Sequence, residues 1–202
     1  MIIKEHNCIH IHIPKCAGST IECVLGGGQY VSWDDSNKIW MQHATAQQIK
    51  KFYCKGYDEY FSFSFVRNPW DRSLSDYLWM QKDLRIRDTF KNFLLLQGSF
   101  DDERLKCPPK SHTTRHDHLL CQCDFLLNEN GQLMVDFVGK FENLQEGFDT
   151  VCDEIGIAHQ QLPHTNKGNH KHYTQYYDDE TREIVAEKYA KDIAAFGYKF
   201  GE

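Results

Sequence analysis

The sequence contains no long hydrophobic segment: none of its 202 residues lies in a run that approaches the ~20 apolar residues needed to span a bilayer. It also lacks a basic and then apolar leader, because a β-strand pattern starts almost at Met1. We therefore expect a soluble, cytoplasmic protein without a transmembrane segment. There is no excess of basic residues either, since the sequence has 23 Lys and Arg and 29 Asp and Glu. The resulting net charge of −6 argues against nonspecific nucleic-acid binding.

Internal repeats and low-complexity segments are absent as well. A chain of 202 residues, of which 41% are hydrophobic, is long enough to bury a substantial core. These features predict a single domain that covers residues 1–202.

The eight cysteines lack the paired Cys-x-x-Cys spacing of structural zinc modules. In a cytosolic chain we expect reduced thiols, and Cys8, Cys23 and Cys152 have apolar neighbours, among which cysteine behaves as a small core residue. A later cluster of cysteine and histidine could form a zinc site, but its spacing favours a polar loop near the acceptor, and we expect no metal. The members of this cluster are Cys107, His112, His116, His118, Cys121 and Cys123.

The most informative motif is a strand, a tight loop and a helix start. Isoleucines alternate with polar residues between Cys8 and Ile13 and predict a strand, which the loop Pro14-Lys15-Cys16-Ala17-Gly18 ends. Residues 19–22 are typical of a first helical turn. The N–H groups at a helix start, the helix dipole and the Lys15 ammonium can all bind one anion, so this motif predicts a phosphate site.

A second motif has the same order of elements. Residues 60–66 alternate aromatic and small polar side chains and predict a buried strand, with Arg67 at its end. Asn68 is a suitable N-cap, worth about 1 kcal/mol, and Pro69 fits the first helical position. Arg67 can then bind an anion, and Ser75 lies in the helix that follows. The alternative is that Arg67 pairs with a core carboxylate and that Ser75 only packs.

Together the two motifs resemble those of the sulfotransferases that use 3′-phosphoadenosine 5′-phosphosulfate (PAPS), in particular the carbohydrate-type sulfotransferases of family 2. Residues 14–20 resemble the loop for the 5′-phosphosulfate, and residues 65–75 resemble the motif for the 3′-phosphate. The similarity continues through residues 135–144 and 162–168 to the end of the chain. The resemblance therefore covers nearly the whole sequence.

The resemblance implies a reaction in which an acceptor hydroxyl attacks the sulfur of PAPS in line. Lys15 would stabilise the leaving group, and a hydroxyl of a carbohydrate or glycoconjugate would be the acceptor. The implied cofactor-binding residues are Pro14, Lys15, Ala17, Gly18, Ser19, Thr20, Arg67, Ser75 and Lys167. Lys167 falls in a polar loop of the kind that covers the nucleotide in the family, although it could equally be a solvated lysine.

His43 is the predicted general base among the eleven histidines. It lies between the two motifs, where the resemblance places the base, and at the start of a short helix predicted over residues 44–52. A helix N-terminus disfavours the charged form of a histidine and keeps it basic. The alternative is a histidine that only caps or packs, in which case the base would be His12, His164 or His170.

Strands that alternate with helices predict an α/β fold of three layers, α/β/α, around a mainly parallel central sheet. The resemblance implies the P-loop-like version of this fold that sulfotransferases have. Ligands of such sheets bind at the carboxyl ends of the strands, where Lys15 and Arg67 fall. The pattern also predicts strands over residues 123–127 and 135–140, a helix after Asn143 and a last helix over residues 178–196.

Two other classes of function stay open at this point. A P-loop kinase would need Gly-x-x-x-x-Gly-Lys-Ser/Thr, whereas Lys15 precedes Gly18 here, and Asp136 is only a loose candidate for a magnesium-binding acid. A degenerate module would keep the nucleotide but lack catalysis, and the presence of Lys15, His43, Arg67 and Ser75 argues against it. The acceptor stays open between a carbohydrate, a small alcohol, a lipid head group and a tyrosine side chain.

Overall fold

The computed structural model describes four stretches of the chain, residues 1–26, 33–106, 113–163 and 171–202. The chain forms two compact units. The first combines Met1–Val66 with Gln122–Asn166, and the second combines Arg67–Cys121 with Lys167–Glu202. Within the described stretches, no helix has the length and apolar character that crossing a membrane requires.

The first unit is built around a four-stranded sheet. The strands of the described residues are β1 (Ile2–Ile3), β2 (Cys8–Ile11), β3 (Trp33–Asp34), β4 (Ile39–Trp40), β5 (Phe61–Val66) and β6 (Phe137–Lys140). The order in the sheet is β1-β2-β5-β6, in which β1 is antiparallel to β2 and the other two pairings are parallel. β3 and β4 form a separate antiparallel pair. The fold is therefore mixed α/β with a mainly parallel central sheet, as the sequence predicts.

The helices are divided between the two units, and two of them pack on one face of this sheet. The helices of the described residues are α1 (Gly18–Val24), α2 (Ala46–Gln48), α3 (Pro69–Asp83), α4 (Phe90–Leu95), α5 (Glu103–Lys106), α6 (Gln122–Leu126), α7 (Leu144–Glu154), α8 (Asp179–Lys188) and α9 (Ala190–Phe196). Because strand side chains alternate between faces, Phe63 and Phe65 of β5 point to the same side. They pack there with Ile21 of α1 and Phe148 of α7. This packing fixes α1 directly after β2, so the loop between them lies at a strand's carboxyl end.

The second unit is mainly helical, and its start agrees with the sequence. The Asn68 side chain accepts a hydrogen bond from the Trp70 N–H at 3.1 Å, and Pro69 occupies the first position of α3. Trp70 and Leu74 of α3 are buried together with Val185 of α8. The predicted cap and helix are therefore confirmed.

One predicted strand is wrong, because the region of residues 123–127 forms the helix α6. Within the described stretches, its strand-like pairing is limited to a single bridge between Leu127 and Leu133. The buried residues Gln122, Phe125 and Leu126 recur at helical spacing, three and four positions apart. Such a short apolar segment does not distinguish a helix from a strand by its sequence alone.

The predicted last helix over residues 178–196 is two helices, α8 and α9. The chain leaves the helical conformation at Tyr189, where φ is −113° and ψ is 28°, and this side chain is buried. Cys23 also differs from expectation because it is exposed on α1, whereas Cys8 and Cys152 are buried core residues.

Candidate active site

The loop between β2 and α1 has an unusual backbone. Lys15 and Ala17 adopt the left-handed conformation, with φ values of 68° and 65°. This conformation is uncommon for residues other than glycine and costs on the order of 1–3 kcal/mol, which the surrounding structure must offset. A left-handed residue next to right-handed ones turns successive N–H groups towards one point, and such a concave arrangement binds anions.

The start of α1 leaves backbone donors available. Ala17 is the N-cap and supplies no side-chain cap, while its carbonyl accepts hydrogen bonds from the N–H groups of Thr20 and Ile21 at 3.0 and 3.2 Å. Among the described residues, the N–H groups of Gly18 and Ser19 have no acceptor. The loop therefore presents main-chain donors that an anion can bind.

The predicted residues of this loop lie together in the structure. Lys15 and Ala17 are half-buried and Ser19 is exposed, so these three have contact with solvent. The remaining members, Pro14, Gly18 and Thr20, are buried. The turn thus combines a buried framework with an accessible cation and hydroxyl.

Gly18 is required by a close approach of His12. A Cβ atom at Gly18 would lie 2.2 Å from Cδ2 of the His12 ring, which is shorter than any ordinary contact. His12 directly follows β2 and is buried. Its ring therefore lies directly against the first residue of α1.

His12 also forms a buried pair with Glu22, one turn along α1. His12 Nδ1 lies 2.7 Å from Glu22 Oε1, and since a carboxylate only accepts, Nδ1 donates the proton. Burial lowers the pKa of His12 to about 4, although Glu22 opposes this shift. Burial also disfavours the Glu22 anion, but the rings of His10 and His12 outweigh it and hold the pKa of Glu22 below its ordinary value. The pair consists of a neutral histidine and a carboxylate.

His43 lies close to this pair. Its ring centroid is 5.0 Å from that of His12, and the two rings meet edge to face at 78°. His43 ends a short turn, Met41–His43, and the neighbouring Gln42 Nε2 donates to Glu22 Oε2 at 3.4 Å. His12, Gly18, Glu22 and His43 are therefore neighbours in the first unit.

The predicted position of His43 at a helix start is wrong. The cap of α2 is Thr45, whose side chain accepts from the Gln48 N–H at 3.2 Å, while the Gln48 side chain accepts from the Thr45 N–H at 2.9 Å. This reciprocal capping box places the N-cap of α2 two residues after His43 and the first helical residue three after it. The dipole of α2 therefore does not explain a basic His43.

Two side chains that support the loop are not among the residues predicted from the sequence. Glu22 was not predicted as a site residue, although it lies one turn after Gly18 and thus on the same side of α1. The other is Gln122 of α6, which is fully buried, and its Oε1 accepts a hydrogen bond from Cys16 Sγ at 3.3 Å. These contacts join distant parts of the sequence, so no local pattern reveals them.

The second predicted motif lies in the second unit. Arg67 is buried, and its Nε and Nη2 atoms bind Asp71 Oδ2 at 2.9 and 2.8 Å. The pairing with a carboxylate that the sequence left open is thus present. Ser75 is half-buried on α3. Lys167, the last predicted cofactor residue, lies outside the described residues, as do His164 and His170.

The second unit also contains a buried pair of a histidine and an aspartate. His118 Nδ1 lies 2.7 Å from Asp76 Oδ1, and the His118 ring stacks on Trp79 with centroids 4.6 Å apart. Arg72 donates to the carbonyls of His118 and Leu120 at 2.9 Å each. Cys107 and His112 of the cysteine and histidine cluster lie outside the described residues.

Known proteins share features with this chain. The sulfotransferase family matches residues 1–199. An uncharacterized protein of Archaeoglobus fulgidus is 30% identical over 104 residues, which are 51% of this chain and 73% of that protein. The crystal structure of a sulfotransferase from Alicyclobacillus acidocaldarius is similar over 77% of this chain, with 20% identity and a TM-score of 0.43, and this chain spans 60% of that protein's length.

The match along residues 1–199 shows that the chain belongs to the sulfotransferase family, in the group called family 2. The family that the two sequence motifs predict is therefore confirmed.

Proposed function

We propose that the protein transfers the sulfuryl group of PAPS to an acceptor hydroxyl, with a carbohydrate as the acceptor class. The observation that carries the proposal is the loop after β2, in which left-handed Lys15 and Ala17 precede the uncapped start of α1 in a chain of the sulfotransferase family. A cation and outward N–H groups fit an anionic donor. When bound, PAPS supplies a sulfuryl group joined to a phosphate that can leave.

Lys15 stabilises the charge that develops on the leaving oxygen in this proposal. When the bond between sulfur and the 5′-phosphate oxygen breaks, its electron pair stays on that oxygen. The Lys15 ammonium and the N–H groups of Gly18 and Ser19 neutralise the new charge, and hydrogen bonds to a charged group contribute about 1.5–3 kcal/mol each. The product is 3′-phosphoadenosine 5′-phosphate.

His43 acts as the general base. It accepts the proton of the attacking hydroxyl while the acceptor oxygen forms its bond to sulfur, so that the sulfated acceptor leaves without that proton. A positioned base contributes typically about 10²–10⁴-fold to the rate. The contact of His43 with His12, which lies against Gly18 of the loop, supports this role.

Arg67, Ser75 and Lys167 hold the 3′-phosphate of the donor. Arg67 provides a fixed guanidinium because Asp71 already orients two of its nitrogens. The remaining loop residues Pro14, Ala17 and Thr20 shape the turn around the other end of the donor. The whole chain acts as one sulfotransferase domain, in the cytoplasm.

The test is transfer of ³⁵S from labelled PAPS to a panel of glycans, small alcohols, lipid head groups and tyrosine peptides, in the presence of EDTA. We expect a labelled glycan product, because Lys15 and the N–H groups can neutralise the leaving group without a metal. A matched assay with γ-labelled ATP and magnesium tests the kinase alternative. Transfer of phosphate, with no transfer of label from PAPS to any acceptor, would reject the proposed function.

A further inference from the structure

One buried carboxylate connects two separate elements of the first unit. Glu22 is 5% exposed, and its Oε1 accepts a hydrogen bond from His12 Nδ1 at 2.7 Å. Its other oxygen, Oε2, accepts from Gln42 Nε2 at 3.4 Å. Gln42 precedes His43 in the turn Met41–His43. Both oxygens of Glu22 are therefore occupied, one by His12, which follows β2, and the other by the turn that carries His43.

His12 continues this connection to the ring of His43. The His12 ring lies against Gly18 on one side and meets the His43 ring at 5.0 Å between centroids. Because its Nδ1–H is donated to Glu22, the His12 ring cannot rotate without losing that bond. A fixed His12 ring limits the positions that His43 can take.

We propose that Glu22 and His12 are positioning residues that hold His43 beside the donor loop. Glu22 acts twice, through the ring of His12 and through the side chain of Gln42. The inference rests on the proposed function, since it needs His43 as the base. Glu22 and His12 touch neither donor nor acceptor in this account, and no proton leaves the pair during the reaction.

A purely structural role is the competing explanation. A buried carboxylate is expensive to desolvate, and replacing a buried charged pair with apolar residues is often neutral or stabilising. Stability alone is therefore a weak reason for a carboxylate at position 22. The two explanations differ in a measurable way: a positioning residue affects turnover only while His43 is present.

The experiment compares two matched pairs of substitutions. Glu22→Gln and Gln42→Met each remove one of the two hydrogen-bonding groups that the connection needs, while Glu129→Gln and Gln47→Met weaken a similar glutamine–glutamate contact of 3.3 Å on the surface of the same unit. We expect kcat to fall about 10–100-fold for the first pair, the usual range for outer partners of a functional group. The KM for PAPS should stay within about twofold in all four variants, because none of them binds the donor.

A double-mutant cycle then separates positioning from structure. In a His43→Ala background, Glu22→Gln should cause no further loss of the residual turnover. Histidine side-chain NMR gives a readout without substrate: the His43 ring signal, assigned with His43→Ala, should shift in Gln42→Met and stay in place in Gln47→Met. If Glu22→Gln does not fold, as judged by circular dichroism, Gln42→Met supplies the comparison, since the Gln42 side chain is only half-buried.

Two results would overturn the inference alone: unchanged kcat in both Glu22→Gln and Gln42→Met, or the same fold loss with and without His43. A different result concerns the proposed function. If wild type transfers no sulfuryl group, or if His43→Ala keeps full turnover, then the assignment of the base is wrong and the positioning role is rejected with it.

Discussion

The two strand-to-helix connections of this protein begin their helices in opposite ways. After β2, α1 starts at a left-handed Ala17 without a side-chain cap, and N–H groups of its first turn are available to a ligand. After β5, the Asn68 side chain already binds the Trp70 N–H, and Pro69 has no N–H to offer. Backbone donors can therefore bind an anion at the first connection, whereas the second offers side chains such as Arg67.

The two buried histidine–carboxylate pairs have different neighbours. His12 and Glu22 lie against the loop through Gly18 and against His43. His118 and Asp76 belong to the second unit, where Trp79 stacks on the histidine ring. A buried histidine–carboxylate pair therefore occurs in each unit, with different neighbours around its ring.

The largest effect should come from His43→Ala, which removes the proposed base from the first unit. Turnover should drop by about two to four orders of magnitude, because the acceptor hydroxyl keeps its proton during attack. Nucleotide affinity, measured by calorimetry, should be nearly unchanged. His159→Ala serves as the control, since His159 is an exposed histidine of the same unit. Full turnover in His43→Ala would make His12 the next candidate.

Lys15→Ala should have the next largest effect. Loss of one preorganised donor at a developing negative charge typically lowers kcat by about 10²–10³. Lys38→Ala is a matched control, because Lys38 is also a left-handed lysine, with a φ of 57°, and pairs with Asp35 on the exposed hairpin. Steady-state kinetics with PAPS should show a large loss for Lys15→Ala and none for Lys38→Ala. Equal kcat values in the two variants would contradict a role of Lys15 in the chemical step.

Arg67→Ala should chiefly weaken nucleotide binding, since Arg67 belongs to the connection that supplies side chains. We expect the affinity for 3′-phosphoadenosine 5′-phosphate to fall about 10–100-fold, which corresponds to the loss of a charge-assisted hydrogen bond. Arg104→Ala is the control, because Arg104 binds Asp102 through the same two nitrogens as Arg67 binds Asp71. An equal loss of affinity for adenosine 5′-phosphate would show that Arg67 does not bind the 3′-phosphate.

The smallest effect concerns the stability of the fold at acidic pH. This measurement tests the buried pair of His12 and Glu22, which lies beside the loop between β2 and α1. The pKa of His12 is about 4 in the folded protein and 6.5 in the unfolded chain, so the unfolded state binds more protons between these values. Stability should therefore be full above pH 6.5 and fall as the pH drops towards 4. Glu22, whose pKa is also lowered, adds to the loss below pH 4.5. Thermal melting of His12→Gln should show a flatter acid side than wild type.

His159 is a suitable control because its effect on the pH dependence of stability is opposite to that of His12. Its hydrogen bond to Asp153 raises the pKa of His159, so its contribution to stability is present below pH 6.5 and disappears as the pH rises. His159→Gln should therefore not flatten the acid side of the stability profile. A flattened profile in this variant, or an unchanged one in His12→Gln, would contradict the assignment.

Local patterns predicted the two connections well. The alternating isoleucines predict β2, the alternating aromatic residues predict β5, and Asn68-Pro69 indicates the start of α3. Each of these signals depends on neighbours in the sequence. The capping box of Thr45 and Gln48 is equally local and could have corrected the position of His43.

Tertiary contacts explain what the sequence did not reveal. The bond from His12 to Glu22 and the close approach of His12 to Gly18 depend on how α1 packs after β2. The helix α6 is too short for its apolar spacing to be distinguished from a strand. The break between α8 and α9 occurs at Tyr189, whose side chain is buried. No glycine or proline near this position indicates a break in the sequence.

The most direct test of the account is the equilibrium binding of adenosine 3′,5′-bisphosphate and adenosine 5′-monophosphate to the wild-type protein, by calorimetry in EDTA. The two ligands differ only in the 3′-phosphate, which the account assigns to Arg67, Ser75 and Lys167. We expect at least about tenfold tighter binding of the bisphosphate, since each charge-assisted hydrogen bond contributes about 1.5–3 kcal/mol. Equal affinities for the two nucleotides would contradict the assignment of a PAPS site to this chain.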